Sequence, residues 1–371
     1  MQQVQTILNS SANNPVLSNA MAQFSAAWTQ MQTSPEDPTV QEAVVQAGIN
    51  FAQQVNTISS QVTSLQAQVQ TDTKNTVTEL NNDLATVSKL NEQIFTANGE
   101  NQPTGNLQDQ LDQTINQISS ITNVQVFPRN NGEIALYTQD GTALLDGTAQ
   151  TFTYNGSNIT NSAGQDVTNS LTGGSLQAEI QFNANAATPS SLPGVNTVQK
   201  LTGQIADLVS AFTNNTAASG STPQSFENAY NPGGVAANNF FTNTNGFAVN
   251  SALITDPTTV TQTTATATAN SFFSKFDFSD ATAGLPLSSG TTTDLVTSIL
   301  AGFQQAANTV NTQNQSASQQ KTYYQQALSN ATGVNVDTEL VNLTTLQNSY
   351  AASAHVISTI NLMFNDLMAT I

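Results

Sequence analysis

Few residues of this chain can carry proton-transfer, nucleophilic or metal chemistry. There is one histidine, His355, and no cysteine. A Ser-His-Asp arrangement would have at most one base to draw on, and a thiolate nucleophile is excluded. A zinc site built from several His and Cys side chains is excluded too, and so are disulfides. The acids offer more. Asp109 and Asp112 stand three apart in Asn106-Leu107-Gln108-Asp109-Gln110-Leu111-Asp112. On a helix that spacing puts both carboxylates on one face, as acid–base work would require. No cleft-forming partner accompanies them, so a solvated face is the simpler account. Asp140-Gly141 and Asp146-Gly147 could suggest calcium ligands, but their spacing fits no EF-hand loop. Asp-Gly is also the ordinary dipeptide of a tight hairpin turn. His355 stands off the strict apolar seam of its segment and reads as a surface or interface residue. No G-x-G-x-x-G, Walker loop or H-E-x-x-H pattern occurs. The sequence therefore assigns no catalytic, cofactor-binding or metal-ligating residue, and an enzyme is not expected.

Charge narrows the partners. The 371 residues hold 6 Lys+Arg against 24 Asp+Glu, a formal net charge of -18. Charged residues make up only 8%, against about 25% in ordinary domains. A nucleic-acid binder needs a basic footprint to displace counterions. Lys74, Lys89, Arg129, Lys200, Lys275 and Lys321 are too scattered to form one. The same scarcity argues against an anionic membrane surface. No apolar run approaches the roughly 18 residues of a membrane-spanning helix. The start, Met1-Gln2-Gln3-Val4-Gln5, lacks the basic and apolar regions of a secretory signal, so none is expected.

With chemistry set aside, the pattern of apolar residues decides the elements. Val16, Leu17, Met21, Phe24, Trp28 and Met31 recur at helical spacing. Thr33-Ser34-Pro35-Glu36-Asp37-Pro38 breaks that helix, with Asp37 as the next N-cap and Pro38 at the first helical position. Phe51, Val55, Ile58, Val62, Leu65 and Val69 then form a seam. Val77, Leu80, Leu84, Val87 and Ile94 resume it after a register shift. A helix over Pro38 to Ile94 would be about 85 Å long and needs partners along its seam. A shorter helix follows on Leu107, Leu111, Ile115, Ile118 and Ile121, antiparallel to the first.

The period then switches to two. Val124/Val126, Ile134/Leu136, Phe152/Tyr154 and Leu176/Ala178/Ile180/Phe182 alternate as strands. Asn131-Gly132, Asp140-Gly141, Asp146-Gly147 and Asn155-Gly156 supply hairpin turns among them. Val198, Leu201, Ile205, Leu208 and Phe212 mark another seam helix. Residues 213–291 read as mostly irregular, with short strands near Phe247–Val249. Helix returns at Thr292 on Leu295, Ile299, Phe303, Ala306 and Val310 and runs through Tyr324 and Leu328.

The last segment is the most regular. Val336, Leu340, Leu343, Gln347, Tyr350, Ala354, Ile357, Asn361, Phe364, Met368 and Ile371 form one stripe. Leu346, Val356, Ile360, Met363 and Leu367 form a second beside it. A helix with two adjacent apolar stripes wants more than one neighbour, since soluble monomers avoid such patches. Leu340, Leu343, Leu346, Tyr350, Ala354, Ile357, Ile360, Phe364 and Leu367 are the expected assembly interface.

The residues after Gly333 carry a resemblance. Gly333-Val334-Asn335-Val336-Asp337-Thr338-Glu339-Leu340, followed by Gln347-Asn348-Ser349-Tyr350-Ala351-Ala352-Ser353-Ala354, resembles the closing signature of bacterial flagellar axial proteins. Asn106 to Asp112, ending in Ile121-Thr122-Asn123-Val124-Gln125-Val126, is similar to the helix-then-hairpin element of the hook-associated protein 1 family. Gly173-Gly174-Ser175-Leu176, Phe240-Phe241 and Ala248-Val249-Asn250-Ser251-Ala252-Leu253 look like further segments of that family, in the same order. Leu111 departs from it, standing where the family usually has a basic residue. The family's opening small-residue, Asn-rich helix does not precede Met1. On this resemblance Met1 falls inside the second N-terminal helix, as in a shortened chain or a displaced start.

The resemblance implies an extracellular structural part of the bacterial flagellum, joining hook to filament by helical packing of subunits. Export would run unfolded through a type III route without a cleaved signal. Partners would be other copies of the chain, hook protein and neighbouring hook-associated or filament proteins, with an export chaperone possible; neither nucleic acid nor membrane is among them. The expected fold is α+β but mainly α: an elongated, coiled-coil-like antiparallel helical bundle with a small inserted antiparallel β unit. Its expected parts are 1–34, the remnant of an N-terminal helical region; 35–122, a long and a short bundle helix; 123–185, the β unit; 186–212, a bundle helix; 213–291, irregular; 292–335, the C-terminal bundle helix; and 336–371, a terminal assembly helix. A flagellar hook or distal-rod protein is the nearest alternative, disfavoured by the length of the Pro38–Ile94 seam. A secreted surface adhesin, from a different class, should show internal repeats, and none is found. A hydrolase using paired carboxylates would need a pocket around two acids with separated pKa values.

Overall fold

The structure is a computed structural model. It describes residues 16–183, 197–213, 226–244, 246–260, 262–277, 289–332 and 340–351, together with Ser353 and Ser358. The chain divides into two units, Met1–Asn311 and Thr312–Ile371.

In the first unit, helix α1 (Val16–Thr33) buries Leu17, Ala20, Met21, Phe24, Trp28 and Met31. Helix α2 (Pro38–Gly99) starts as its sequence dictates. The Asp37 carboxylate accepts the Thr39 N–H at 2.9 Å, and Pro38 occupies the first turn, where its missing N–H costs nothing. The helix then runs for 62 residues without a break. Phe51, Val55, Val62, Leu65 and Val69 are buried, as are Val77, Leu80, Leu84, Val87, Leu90 and Ile94. The gap in the seam is filled by Thr73, which is fully buried and donates its hydroxyl to the Val69 carbonyl at 2.8 Å. Val69, Thr73 and Val77 are spaced four and four. That spacing breaks the regular alternation of four and three. The residues before and after it pack in separate cores.

The first half packs into a core with α1, helix α5 (Thr197–Thr213), the aromatic residues of 226–272 and the first turns of α9 (Thr292–Thr332). Phe24 lies at its centre, fully buried, within 5.4–6.4 Å ring-centroid distance of Trp28, Phe51, Phe212, Phe226, Phe240, Phe241 and Phe272. Gly48 permits this approach. A Cβ there would lie 2.7 Å from the Phe240 ring and 3.2 Å from that of Phe24.

The second half of α2 packs against helix α3 (Gly105–Ile121), the β unit and helix α4 (Gly174–Asn183). Leu111 is buried there, which accounts for an apolar residue between two exposed acids. A four-stranded antiparallel sheet follows the order β1 (Gln125–Pro128), β2 (Ile134–Tyr137), β3 (Ala143–Asp146), β4 (Thr148–Ala149). A separate ladder pairs β5 (Thr153–Tyr154) with β6 (Ile159–Thr160). Gly132, Gly141, Gly147 and Gly156 have φ of +87, +88, +74 and +99°, as their Asn-Gly and Asp-Gly turns predict.

Asparagines on α2 fasten the strands to it. The Asn81 amide donates to the Phe152 carbonyl and accepts the Phe152 N–H, both at 2.8 Å. Asn91 does the same for Ile134, at 2.8 and 3.0 Å. Each side-chain amide thus stands in for a neighbouring strand. Asn56 and Asn98 add single bonds to the carbonyls of Phe247 and Asn131, at 2.7 and 3.1 Å. Asparagine is a poor helix former, and these contacts explain its presence in α2.

Two expectations are corrected. Leu176, Ala178, Ile180 and Phe182 are not a strand but lie in α4. A short alternating run also satisfies the i, i+4 spacing of a helix, so periodicity alone misassigned it. Leu176 and Ile180 pack with the second core and Phe182 with the first. Residues 226–277 are not mostly irregular. They carry helices α6 (Phe226–Tyr230), α7 (Ser251–Thr255) and α8 (Ala265–Ser271), and β7 (Phe241–Thr242) pairs with β8 (Ala248–Val249). Each element is too short to leave a periodic signal; buried aromatic side chains hold them. Strands β9 (Phe276–Asp277) and β10 (Ser289–Gly290) lead into α9. There Leu295, Val296, Ile299 and Ala307 are buried, while the side chains of Phe303, Ala306, Val310, Tyr324 and Leu328 lie outside the described residues. The second unit takes α9 from Thr312 onward and a helical stretch over 340–351. The fold is mainly α with small antiparallel sheets, as expected.

The double hydrogen bond of Asn91 is testable. Asn91→Ala strands the buried N–H and C=O of Ile134, at about 1–3 kcal/mol for each unsatisfied group. Denaturant melts should show a loss of about 2–4 kcal/mol, whereas Asn82→Ala, at an exposed position of α2, should change little.

Candidate assembly surface

The stretch 340–351 is helical, and every residue in it is exposed. Leu340, Leu343, Leu346 and Tyr350 are 63, 54, 74 and 81% exposed. At about 100° per residue they fall within an arc of about 120°. The hydroxyls elsewhere on the helix are already satisfied: Thr344, Thr345 and Ser349 donate to the carbonyls of Leu340, Val341 and Thr345, at 2.8, 2.9 and 2.9 Å. Covering the apolar arc would be favourable, because burying a Leu side chain is worth about 1.5–3 kcal/mol. The other expected interface residues, Ala354, Ile357, Ile360, Phe364 and Leu367, lie outside the described residues, as does His355.

The acids weighed for chemistry are accounted for locally. Asp109 and Asp112 are exposed on α3. The Asp140 carboxylate closes its own turn, accepting from the Thr138 hydroxyl and from the Thr142 N–H at 3.2 Å. Hydrogen bonds from the Ser170 and Thr138 hydroxyls hold it down to about 2. Asp146 accepts from the Tyr137 hydroxyl at 2.6 Å and pairs with Arg129, and both lower its pKa, the hydroxyl more. Among the described residues no group of three or more His, Cys, Asp or Glu is placed to hold a metal ion. Among them, too, no helix is long and apolar enough to cross a membrane.

Two acids escaped the sequence reading, Glu227 fully buried and Glu179 half-buried. Glu227 is fully buried beside the aromatic core, and its oxygens accept the Phe240 and Phe241 N–H groups at 2.8 and 3.2 Å. Burial pushes its pKa up to about 7, against the pull of those two bonds. Glu179 on α4 accepts the Thr76 hydroxyl of α2 at 3.0 Å. Burial pushes it to about 7 as well; the Thr76 bond opposes this, and Asp72 and Glu79 add to it. The only sequence signal was an acid inside an apolar run, Phe226-Glu227 and Leu176 to Phe182. Glu227 joins α6 to the Phe240-Phe241 backbone, and Glu179 joins α4 to α2.

Both folded-state pKa values lie above that of an unfolded glutamate, about 4.3. The stability they contribute is complete below that value and is lost as pH rises through about 7. The melting temperature should therefore fall between pH 5 and pH 8. Glu179→Gln keeps an acceptor for Thr76 and should flatten that slope; an unchanged slope would remove Glu179 from the account.

Comparison with known proteins adds the following. Residues 1–223 match the family model described as flagellar hook-associated protein FlgK helical domain. Residues 324–370 match the model described as flagellar basal body rod FlgEFG protein C-terminal. Flagellar hook-associated protein 1 of Bacillus subtilis is 23% identical over 146 residues, which is 39% of this chain and 29% of that protein. Its counterpart in Escherichia coli is 24% identical over 149 residues, 40% of this chain and 27% of that protein. The matched region thus spans under a third of either relative. The flagellar hook junction protein FlgK from Burkholderia pseudomallei is similar to 57% of this chain over 40% of its own, at 22% identity and a TM-score of 0.48.

Proposed function

The chain belongs to the family of flagellar hook-associated protein FlgK, whose helical-domain model matches residues 1–223, and on that premise we propose that it is a structural component of the bacterial flagellum, joining hook to filament. The observation that carries the proposal is the uncovered apolar arc of Leu340, Leu343, Leu346 and Tyr350, inside the segment matched by the axial C-terminal model. Its chemistry is packing. Contacts between unlike faces of identical subunits generate rings or helices rather than closed dimers. The partners are other copies of the chain, hook protein and neighbouring hook-associated or filament proteins, with an export chaperone before assembly. The site of action is outside the cell, in the flagellum. A hook or distal-rod protein shares the C-terminal pattern, but the match of residues 1–223 to the FlgK helical domain favours the junction.

Charge placed on the arc tests this. Leu343→Glu or Leu346→Glu should abolish incorporation at the hook–filament junction and swimming in cells that lack their own copy. Each should leave the melting temperature of the isolated chain nearly unchanged, since substitutions at exposed positions cost within about 0.5 kcal/mol. Equal loss of assembly and stability would place this helix in the monomer's core and overturn the proposal.

A further inference from the structure

Four Asn-Gly pairs occur in the chain: Asn98-Gly99, Asn131-Gly132, Asn155-Gly156 and Asn245-Gly246. Asn-Gly is the dipeptide in which the following backbone nitrogen most readily attacks the side-chain amide, because glycine has no Cβ in the way. Asn245 lies outside the described residues. The other three differ in how their reacting atoms are held.

At Asn98-Gly99 the backbone nitrogen belongs to the last residue of α2, and the Asn98 amide donates to the Asn131 carbonyl at 3.1 Å. At Asn131-Gly132 the Gly132 N–H is bonded to the Arg129 carbonyl at 3.1 Å, and the Asn131 amide donates to the Glu133 carboxylate. In both pairs the leaving amide is anchored and the attacking nitrogen is engaged, although the Asn131 side-chain oxygen also accepts one N–H, that of Glu133, at 3.2 Å.

Asn155-Gly156 is arranged the other way. It forms the exposed turn between β5 and β6. The Asn155 side-chain oxygen accepts the Ser157 and Asn158 N–H groups at 3.0 and 2.9 Å. These donors polarise the amide carbonyl, and they are aimed at the oxygen that becomes an oxyanion when a nucleophile adds to Cγ. Neither the Gly156 nitrogen nor the Asn155 amide nitrogen has a hydrogen-bond partner among the described residues. The electrophile is activated, the nucleophile is unengaged and the leaving group is free.

We propose that Asn155-Gly156 is a site of spontaneous covalent modification, driven by its own turn. The Gly156 nitrogen bonds to Asn155 Cγ, and the Cγ–Nδ2 bond breaks. Ammonia departs with the proton shed by Gly156, leaving a five-membered succinimide. Water then adds to one imide carbonyl and opens the ring to aspartate or, through the other carbonyl, to isoaspartate. The aspartate product keeps both N–H bonds and adds one negative charge. The isoaspartate product carries an extra methylene in the backbone at the point where Tyr154 pairs with Ile159, a residue fully buried in the second core. That product loosens the hairpin.

The full-length chain, incubated folded at mildly alkaline pH and digested for mass spectrometry, tests this. The amide-to-acid conversion at Asn155 should be at least about tenfold faster than at Asn131 or Asn98, a modest share of the 10²–10³ that one preorganised donor gives in acyl transfer. In guanidinium the three rates should converge. Equal rates in the folded chain would overturn the proposal. So would a lead for Asn155 that persists in denaturant, since the neighbouring sequence rather than the turn would then be the cause.

Discussion

A single uninterrupted helix of 62 residues cannot shield its own apolar seam, and the rest of the first unit is arranged to cover it. The seam is not one continuous heptad. Val69, Thr73 and Val77 are spaced four and four, which breaks the alternation of four and three. The chain builds an aromatic core against residues 51–69 and a core of aliphatic strands and short helices against 77–94. Helix α4 reaches both, with Leu176 in one and Phe182 in the other.

A composition with 8% charged residues leaves few ion pairs for fixing these parts in register. Among the described residues Arg129–Asp146 is the one salt bridge, and it is exposed. Amides and hydroxyls take over the task. Asn81 and Asn91 each close two hydrogen bonds on a strand residue, which fixes both distance and direction as one ion pair would not. The threonines of α2 mostly return their hydroxyls to the helix, as Thr57, Thr63, Thr71, Thr78, Thr86 and Thr96 do. That satisfies the polar surface without demanding a partner. Neutral hydrogen bonds of this kind also lose little to salt screening.

The two units present opposite problems. In the first, most of the α2 seam is covered and Phe24 and Trp28 are fully buried, while Phe95, Phe127 and Phe273 stay exposed. In the described part of the second, apolar side chains stand in solvent along 340–351. An apolar face left open in this way is what the proposed assembly role would require. Glu179 and Glu227 belong to the first unit, where they tie α4 to α2 and the Phe240-Phe241 backbone to α6.

The sequence by itself determined the helices and the turns. Seam spacing located α1, α2, α3 and α5, Asp37-Pro38 placed the start of α2, and Asn-Gly and Asp-Gly placed four positive-φ turns. These features are local, since a cap, a turn or a period is complete within a few residues. The apolar arc of Leu340, Leu343, Leu346 and Tyr350 was equally legible from spacing. Tertiary structure alone decided the rest. It made Leu176 to Phe182 a helix, because two cores converge on that segment and an alternating run of seven residues does not distinguish the two periods. It gathered Phe226, Phe240, Phe241 and Phe272 around Phe24 across some two hundred residues of chain, and no short-range pattern encodes such a meeting. It also gave Asn81 and Asn91 their places. A polar residue in an apolar neighbourhood is tolerable only when a particular partner is opposite it, and that partner lies far away in the sequence.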